Sequence, residues 1–200
     1  RDTWLVETIN ASRCTVLVAD AQALEKLRPV ERELRYGRLL LRGGVEAAGA
    51  EFASRGIVSL EELADNSSAE PETKHVDYGD AAAVLWTSGT TGKPKGVIQS
   101  HNVWVRAAVN NDRLYATRPG DIAYNCLPLY NSAAWVANIY RALSTGIPCG
   151  LDQQFSVSKF WNRIRHYGAT QTMTLGAMHM FLWNEPRRDD DADNPLRVAS

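Results

Sequence analysis

Short apolar runs alternate with amphipathic stretches along the chain. Residues 15–19 (TVLVA) are apolar and largely β-branched, which predicts a buried strand. Asp20 follows in a position to cap a helix in which Leu24 and Leu27 share one face, and Pro29 ends that pattern. The first part of the chain is therefore predicted to contain a strand followed by a helix.

The same alternation continues to the end of the chain. Further strands are predicted at 38–42, 121–127, 147–151 and 170–175, and helices from Ser100 or Asn102 towards Leu114, over 132–145 with a stop at Gly146, over 157–168 after a cap at Ser156, and from about Ala177. Residues 61–80 are polar and contain Pro, Ser and Asp, which predicts a surface connection. Strands that alternate with helices predict an α/β fold.

Composition and charge exclude several classes of function. The chain has 200 residues, 22 basic against 23 acidic, and a net charge of -1, so it has no electrostatic footprint for nucleic acid or an anionic membrane surface. Its longest weakly charged stretch, 131–151, is interrupted by Arg141 and Pro148 and does not predict a membrane span. Three scattered cysteines without a CxxC pair predict small buried side chains in a reducing, cytoplasmic compartment rather than disulfides or a zinc site.

The loop after the apolar run 81–86 carries the clearest candidate chemistry. The loop is rich in small residues and in side chains that donate hydrogen bonds, and it contains no carboxylate. These residues are Thr87, Ser88, Gly89, Thr90, Thr91, Gly92, Lys93, Lys95 and Gly96. Glycines let a ligand approach main-chain N–H groups, and hydroxyl and ammonium donors suit phosphate oxygens. A polar hairpin loop with incidental lysines remains the alternative.

Two common nucleotide motifs do not fit this loop. A Walker A motif needs a Ser or Thr after Gly-Lys and a following helix, whereas Pro94 follows Lys93 and a strand-like VIQ comes next. No G-x-G-x-x-G occurs either. The loop is therefore predicted to bind phosphate in another framework.

The stretch TSGTTGKPKG followed by V-I-x-S-H resembles the phosphate loop of the adenylate-forming (AMP-binding) superfamily, which includes acyl-CoA synthetases, peptide-synthetase adenylation domains and luciferases. The downstream Leu-Pro-Leu-Tyr at 127–130 and the segment 146–169 extend the resemblance. Within the superfamily, Ser-x-x-x-Phe-Trp at 156–161 and Gly-Ala-Thr at 168–170 look most like crotonobetaine/carnitine-CoA and fatty-acid-CoA ligases.

The resemblance implies ATP-dependent activation of a small-molecule carboxylic acid to an acyl-adenylate, followed by transfer to CoA. It implies that Thr87, Ser88, Gly89, Thr90, Thr91, Gly92, Lys93 and Lys95 bind the phosphates, that Lys95 has a catalytic role, and that Thr90 lies near Mg²⁺. It also implies layered, mainly parallel sheets with flanking helices, with residues 1–200 being part of a large N-terminal domain. The main catalytic Lys would lie in a C-terminal domain outside this chain, so we expect the chain alone to be inactive.

A tentative acyl site follows from the same resemblance. It comprises Tyr130, Asn131, Gly176 and Met178. Asn131 departs from the family's usual His, and it is also a good helix cap. Met173, Met178 and Met180 suit either an adaptable apolar pocket or core packing. The four histidines, at 75, 101, 166 and 179, have no metal spacing and are predicted to be structural.

Two other functions remain open at this stage. One is an amino-acid-adenylating domain that feeds a carrier protein, and the other is a non-catalytic nucleotide-binding module. The sequence does not identify the acid, the thiol acceptor or the oligomeric state, and a homo-oligomer is left open.

Overall fold

The computed structural model describes residues 2–65, 70, 72, 75–87, 89 and 92–200. The chain divides into two compact units. The first consists of Arg1–His75 and Trp86–Val97, and the second of Val76–Leu85 and Ile98–Ser200. Because the chain passes from one unit to the other and back, each unit is discontinuous in sequence.

The first unit contains a parallel sheet and short helices. Its elements are α1 (Asp2–Ser12), β1 (Val16–Asp20), α2 (Leu24–Leu27), β2 (Arg38–Arg42), β3 (Ile57–Ser59) and α3 (Leu60–Asp65), with 3-10 turns at Arg28–Glu33, Val45–Ala48 and Ala50–Arg55. The strand order is β1-β2-β3, and both pairings are parallel. Leu39 and Leu41 on the central strand are fully buried, in keeping with the two-residue period of a strand.

Two further strands pair with each other. β4 (Ala81–Thr87) and β5 (Lys95–Ser100) form a two-stranded sheet, and residues 88–94 connect them. The glycine-rich loop therefore leads into a strand and not into a helix, as the sequence predicted.

The second unit is a four-stranded parallel sheet with helices. Its elements are α4 (His101–Tyr115), β6 (Ala123–Asn125), a π-helical segment (Ala134–Ile139) that continues into α5 (Tyr140–Thr145), β7 (Cys149–Leu151), a 3-10 turn (Val157–Lys159), α6 (Phe160–Tyr167), β8 (Gln171–Thr172), α7 (Gly176–Trp183) and β9 (Val198–Ala199). The strand order is β7-β6-β8-β9, and every pairing is parallel.

This order creates a topological switch between β6 and β8. From β6 the chain moves outward to β7, and from β8 it moves outward in the opposite direction to β9. Right-handed crossovers place such connections on opposite faces of the sheet, so the loops that follow β6 and β8 diverge. In open α/β sheets the crevice at this point, at the carboxyl ends of the strands, is where ligands bind.

Several local predictions are confirmed. β2 spans the predicted residues 38–42, and the Ser100 side chain accepts a hydrogen bond from the Val103 amide at 3.3 Å to cap α4. Gly146 ends α5 in a left-handed conformation, with φ of 74°. These signals are local, which is why the sequence shows them.

Other boundaries differ from the predictions. The helix after Asp20 is only four residues long and continues as a 3-10 turn that contains Pro29. Ser156 makes no side-chain capping bond. Helix α3 extends to Asp65 and has no buried residue, so it covers the first residues of the segment 61–80 that the sequence predicts as a surface connection. The predicted strand 170–175 is assigned only at Gln171–Thr172, although the Thr174 amide still donates to the Ser200 carbonyl at 2.8 Å.

Candidate functional site

The two ends of the glycine-rich loop lie side by side. Thr87 is the last residue of β4, and Lys95 is the first residue of β5. The Thr87 hydroxyl donates to the Lys95 carbonyl at 3.5 Å. Pairing of the two strands thus brings the predicted Thr and Lys of the phosphate loop together at its base.

Gly89 is required by the shape of the loop. Its φ is +61°, and a Cβ atom at this position would lie 2.4 Å from the carbonyl oxygen of Lys93. The same Cβ would be 3.5 Å from the aliphatic carbons of Lys95, so the stem of that lysine packs over the glycine. Gly92 closes the turn by donating its amide to the Gly89 carbonyl at 3.4 Å. Only a residue without a side chain fits this close approach.

The loop is positively charged. Residues 81–100 contain no Asp or Glu. Within the part of the chain that the structure describes, the ammonium groups of Lys93 and Lys95 form no ion pair. Ser88, Thr90 and Thr91 lie outside the described residues, so their predicted roles, including that of Thr90 near Mg²⁺, stay predictions.

Tyr130 and Asn131 lie in the loop that follows β6. Tyr130 is 80% exposed. Asn131 accepts a 2.9 Å hydrogen bond from the Ala133 amide through Oδ1, and its own amide donates to the Pro128 carbonyl at 2.9 Å. Asn131 therefore caps the following helical segment, which was one of its two predicted roles.

Gly176 and Met178 lie at the start of α7, just after β8. A Cβ atom on Gly176 would meet no heavy atom within 4 Å, so the backbone there faces open space. Met178 is 7% exposed and belongs to a core cluster with Tyr124 and Ile164, and its sulfur accepts from the Leu175 amide at 3.3 Å. Its surroundings are those of a core residue, whereas Gly176 borders open space.

Strand pairing places these two sets of residues at the same edge of the sheet. β6 and β8 are neighbours, with Tyr124 opposite Thr172. The loop with Tyr130 and the start of α7 with Gly176 follow the carboxyl ends of these strands, where the topological switch lies. The sequence could not show this proximity, since about 45 residues separate the two segments.

Sequence reasoning missed the side chains that hold the loop after β6. Asn125, the last residue of β6, donates from Nδ2 to the Leu127 carbonyl at 2.9 Å and accepts at Oδ1 from Nδ2 of Asn138 at 3.0 Å. Trp135 Nε1 donates to the Leu129 carbonyl at 2.7 Å. The available signal was the presence of Asn125 and Asn138 within otherwise apolar segments, since buried amides need partners.

Burial changes the pKa values of titratable side chains near this edge. Burial raises the pKa of the Cys126 thiol to about 12, so this cysteine stays protonated. Burial also raises the pKa of Tyr124, which donates its hydroxyl to Asp152 at 2.8 Å. His179 bonds through Nε2 to the Thr174 hydroxyl, a structural contact of the kind predicted for the histidines.

Two negative findings concern the described residues only. Across residues 2–65, 75–87 and 92–200, no cluster of His, Cys, Asp and Glu could hold a metal ion. Over the same described part of the chain, no helix is long and apolar enough to cross a bilayer.

The fold and the loop define the class of protein. A family model described as AMP-binding enzyme matches residues 3–199, and the chain belongs to this family. A medium/long-chain-fatty-acid–CoA ligase of Mycobacterium tuberculosis is 31% identical over 165 residues, covering 77% of this chain and 28% of that protein. Long-chain fatty acid transport protein 1 of Bos taurus is 32% identical over 140 residues, covering 70% of this chain and 21% of that protein.

Solved structures match the fold. A long-chain-fatty-acid-CoA ligase from Archaeoglobus fulgidus superposes with a TM-score of 0.76 at 23% identity, covering 92% of this chain and 35% of that one. ATP-bound MatB from Rhodopseudomonas palustris gives a TM-score of 0.76 at 20% identity, covering 100% of this chain and 37% of that one. The predicted α/β fold with parallel sheets, which matches the N-terminal domain of adenylate-forming enzymes, is confirmed. The chain spans only about a fifth to a third of these proteins' length.

Proposed function

We propose that this chain supplies the phosphate loop and part of the acyl site of an AMP-forming acyl-CoA ligase. In this reaction a carboxylate attacks the α-phosphate of ATP, pyrophosphate leaves, and the thiol of CoA then takes the acyl group from the adenylate. The observation that carries the proposal is the loop between Thr87 and Lys95, which is rich in donors, free of carboxylates and shaped by Gly89. Membership of the AMP-binding enzyme family supports it.

The phosphate role rests on charge and access. Negative charge accumulates on the leaving pyrophosphate, and fixed positive groups and N–H donors stabilise it as it develops. Lys93 and Lys95 have no carboxylate partner among the described residues and can therefore direct their charge to a ligand. A Cβ atom on Gly92 would meet no heavy atom within 4 Å, so this glycine leaves the loop backbone open to phosphate oxygens.

The acyl role rests on the topology of the second unit. Tyr130, Asn131 and Gly176 follow neighbouring strands at the switch between β6 and β8, where open α/β sheets bind ligands. The exposed ring of Tyr130 and the open space at Gly176 give this edge room for an acyl group. Met178 would act from the core behind it, by supporting the start of α7.

The names of the relatives favour a fatty acid as the carboxylic acid. One curated relative is a medium/long-chain-fatty-acid–CoA ligase, and another is named a long-chain fatty acid transport protein. No observation on this chain favours an amino acid or a purely nucleotide-binding role over this reaction.

Mg²⁺ fits the donor chemistry of the loop in a limited way. Among the described residues, no group of His, Cys, Asp and Glu could hold the ion, and Thr90 is the protein oxygen that we propose for it. When bound, Mg²⁺ neutralises phosphate charge. The chain's own part is to orient the phosphates through the loop.

The experiment uses the complete product of the gene that encodes this chain. The purified protein is incubated with ATP, Mg²⁺ and labelled pyrophosphate in the presence of fatty acids of graded length, short carboxylic acids or amino acids. We expect label to enter ATP only when a fatty acid is present, and AMP to accumulate when CoA is added. Exchange that depends on an amino acid, or ATP binding without exchange for any acid, would refute the proposal.

A further inference from the structure

We propose that Asn138 is a positioning residue of the acyl site and that it acts through Asn125 on the loop formed by residues 127–131. This inference rests on the proposed function, because that function makes the loop part of the acyl site. It begins from two fully buried amide side chains that the proposed reaction does not use directly. Asn125 is 1% exposed, and Asn138 is 0% exposed.

The two amides form a chain of hydrogen bonds with a fixed direction. The Leu127 carbonyl can only accept, so Asn125 must turn its NH₂ group towards it, at 2.9 Å. The oxygen of Asn125 then faces Asn138, which must present its own NH₂ group, at 3.0 Å. The loop carbonyl therefore determines the orientation of both side chains.

The start of the loop is fixed by Leu127, which is 2% exposed and belongs to the core cluster of Tyr124 and Ile164. The tip has less support, because Tyr130 is 80% exposed and Leu129 is 49% exposed. Within the residues that the structure describes, one further side chain donates to a loop carbonyl: Nε1 of Trp135 donates to the Leu129 carbonyl at 2.7 Å. The position of the loop backbone therefore depends strongly on side-chain donors from the strand before it and from the helical segment after it.

Within the part of the chain that the structure describes, Asn138 supplies one buried hydrogen bond and leaves its own second polar atom without a partner. It lies in the π-helical segment, and its Oδ1 has no hydrogen-bond partner among the described residues although it is fully buried. A buried acceptor without a partner is destabilising, and an apolar side chain of the same size would remove this acceptor but would leave Oδ1 of Asn125 without its donor. π-Helical segments occur frequently at functional sites. The donor of Asn138 is thus the useful part of the side chain.

The test replaces the amide without changing its size. Asn138→Leu removes the unpartnered oxygen of Asn138 but also leaves Oδ1 of Asn125 without its donor, so the two effects on stability oppose each other and the variant should still fold. Asn125 then loses its restraint, and the loop loosens. In the complete gene product, we expect the amides of Asn131, Ala133 and Ala134 to exchange hydrogen for deuterium about 3- to 10-fold faster.

The kinetic part separates positioning from a merely structural role. We expect the KM for the carboxylic acid in pyrophosphate exchange to rise by about 3- to 10-fold, while the KM for ATP does not change. Because Asn138 acts through Asn125, the double variant Asn125→Leu/Asn138→Leu should match Asn125→Leu alone. The matched control is Asn111→Leu, since in the described part of the chain the Asn111 side chain on α4 donates only to the Ala107 carbonyl of its own helix, at 2.8 Å. This control should leave both KM values and the loop exchange unchanged.

The outcomes separate this inference from the proposed function. Unchanged exchange at the loop amides in Asn138→Leu, or additive effects in the double variant, would overturn the inference whatever the activity. Faster exchange in a protein whose wild type shows no acid-dependent reaction would refute the proposed function, and the acyl-site role with it, and would leave Asn138 as a support of the loop only.

Discussion

The guanidinium group of Arg141 lies over the ring of Tyr115, 4.3 Å from its centroid, and neither side chain is exposed. Arg141 also donates through Nη1 to Gln171 and to the Thr117 hydroxyl, and through Nε to the Ala137 carbonyl at 2.7 Å. Burial lowers the pKa of Arg141 from its ordinary value, yet an arginine stays protonated. A buried cation thus connects α4, α5 and β8, and among the described residues it forms no ion pair with a carboxylate.

We expect Arg141→Met to reduce the free energy of unfolding by about 2–4 kcal/mol, because it leaves the buried side-chain oxygen of Gln171 without its donor and removes the bond to the half-buried Thr117 hydroxyl. Urea denaturation followed by circular dichroism measures the loss. The control is Arg163→Met, which removes an arginine that is 42% exposed and lies 3.4 Å from Asp152; this variant should lose less than about 1 kcal/mol. Equal stability of the two variants would contradict the prediction.

Asp121 makes the stability of the chain sensitive to acid. Burial raises the pKa of this carboxyl, but hydrogen bonds from the Thr170 hydroxyl and the Arg118 amide and the ion pair with Arg197, at 2.6 Å, outweigh burial and lower it below its ordinary value. A lowered pKa in the folded state means that the stabilisation is complete above the unfolded value, about 3.9, and is lost as the pH falls through the folded value.

The prediction compares the wild type with Asp121→Asn in urea at graded pH. The difference in the free energy of unfolding should be constant from pH 7 to pH 5 and should shrink below about pH 4, because the wild type alone loses the carboxylate there. A difference that stays constant down to pH 2.5 would show that Asp121 does not titrate below its ordinary range.

Local signals made part of this fold predictable. The apolar period of β2, the serine cap of α4 and the glycine stop after α5 each depend on residues close together in sequence, and all three are confirmed. The loop motif showed the family in the same way, because its spacing is contiguous. The structure adds the reason why residue 89 is a glycine: a Cβ atom there would lie 2.4 Å from the Lys93 carbonyl oxygen.

The contacts that hold the second unit were not predictable. Asn138 bonds to Asn125 across 13 residues and Arg141 to Gln171 across 30, and nothing in the local pattern identifies such partners. The π-helical segment has the same apolar spacing as an α-helix over one turn, so periodicity alone cannot distinguish them. Strand order decided which loops share an edge, and it depends on tertiary packing.

Gly89→Ala should disable the phosphate loop without unfolding the protein. The added methyl group would lie 2.4 Å from the Lys93 carbonyl, and the φ of +61° is already unfavourable for alanine. We expect pyrophosphate exchange by the complete gene product to fall at least about 10-fold, which corresponds to roughly 1.4 kcal/mol. Gly120→Ala is the control, because Gly120 has a φ of +87° but no heavy atom within 4 Å of its added Cβ. It shares the backbone strain and should keep full exchange activity.

Cys126 should resist alkylation. It is 0% exposed, and burial raises its pKa to about 12, so at pH 8 only about one molecule in ten thousand carries the reactive thiolate. Mass spectrometry after timed incubation with iodoacetamide should show Cys126 modified only under conditions that unfold the second unit. Rapid labelling of Cys126 in the folded protein would contradict the burial of this residue.

Lys95→Ala should weaken adenylate formation and leave the fold intact. The Lys95 ammonium has no ion-pair partner among the described residues, so its removal should change the free energy of unfolding by no more than about 0.5 kcal/mol. A charge-assisted bond to phosphate contributes about 1.5–3 kcal/mol, which corresponds to a loss of about 10- to 150-fold in the rate of pyrophosphate exchange. Lys26→Ala on α2 removes the same charge away from the loop and should keep the wild-type rate. The complete gene product is assayed with a fatty acid that supports exchange. Equal exchange rates for Lys95→Ala and Lys26→Ala would show that Lys95 does not bind the phosphates.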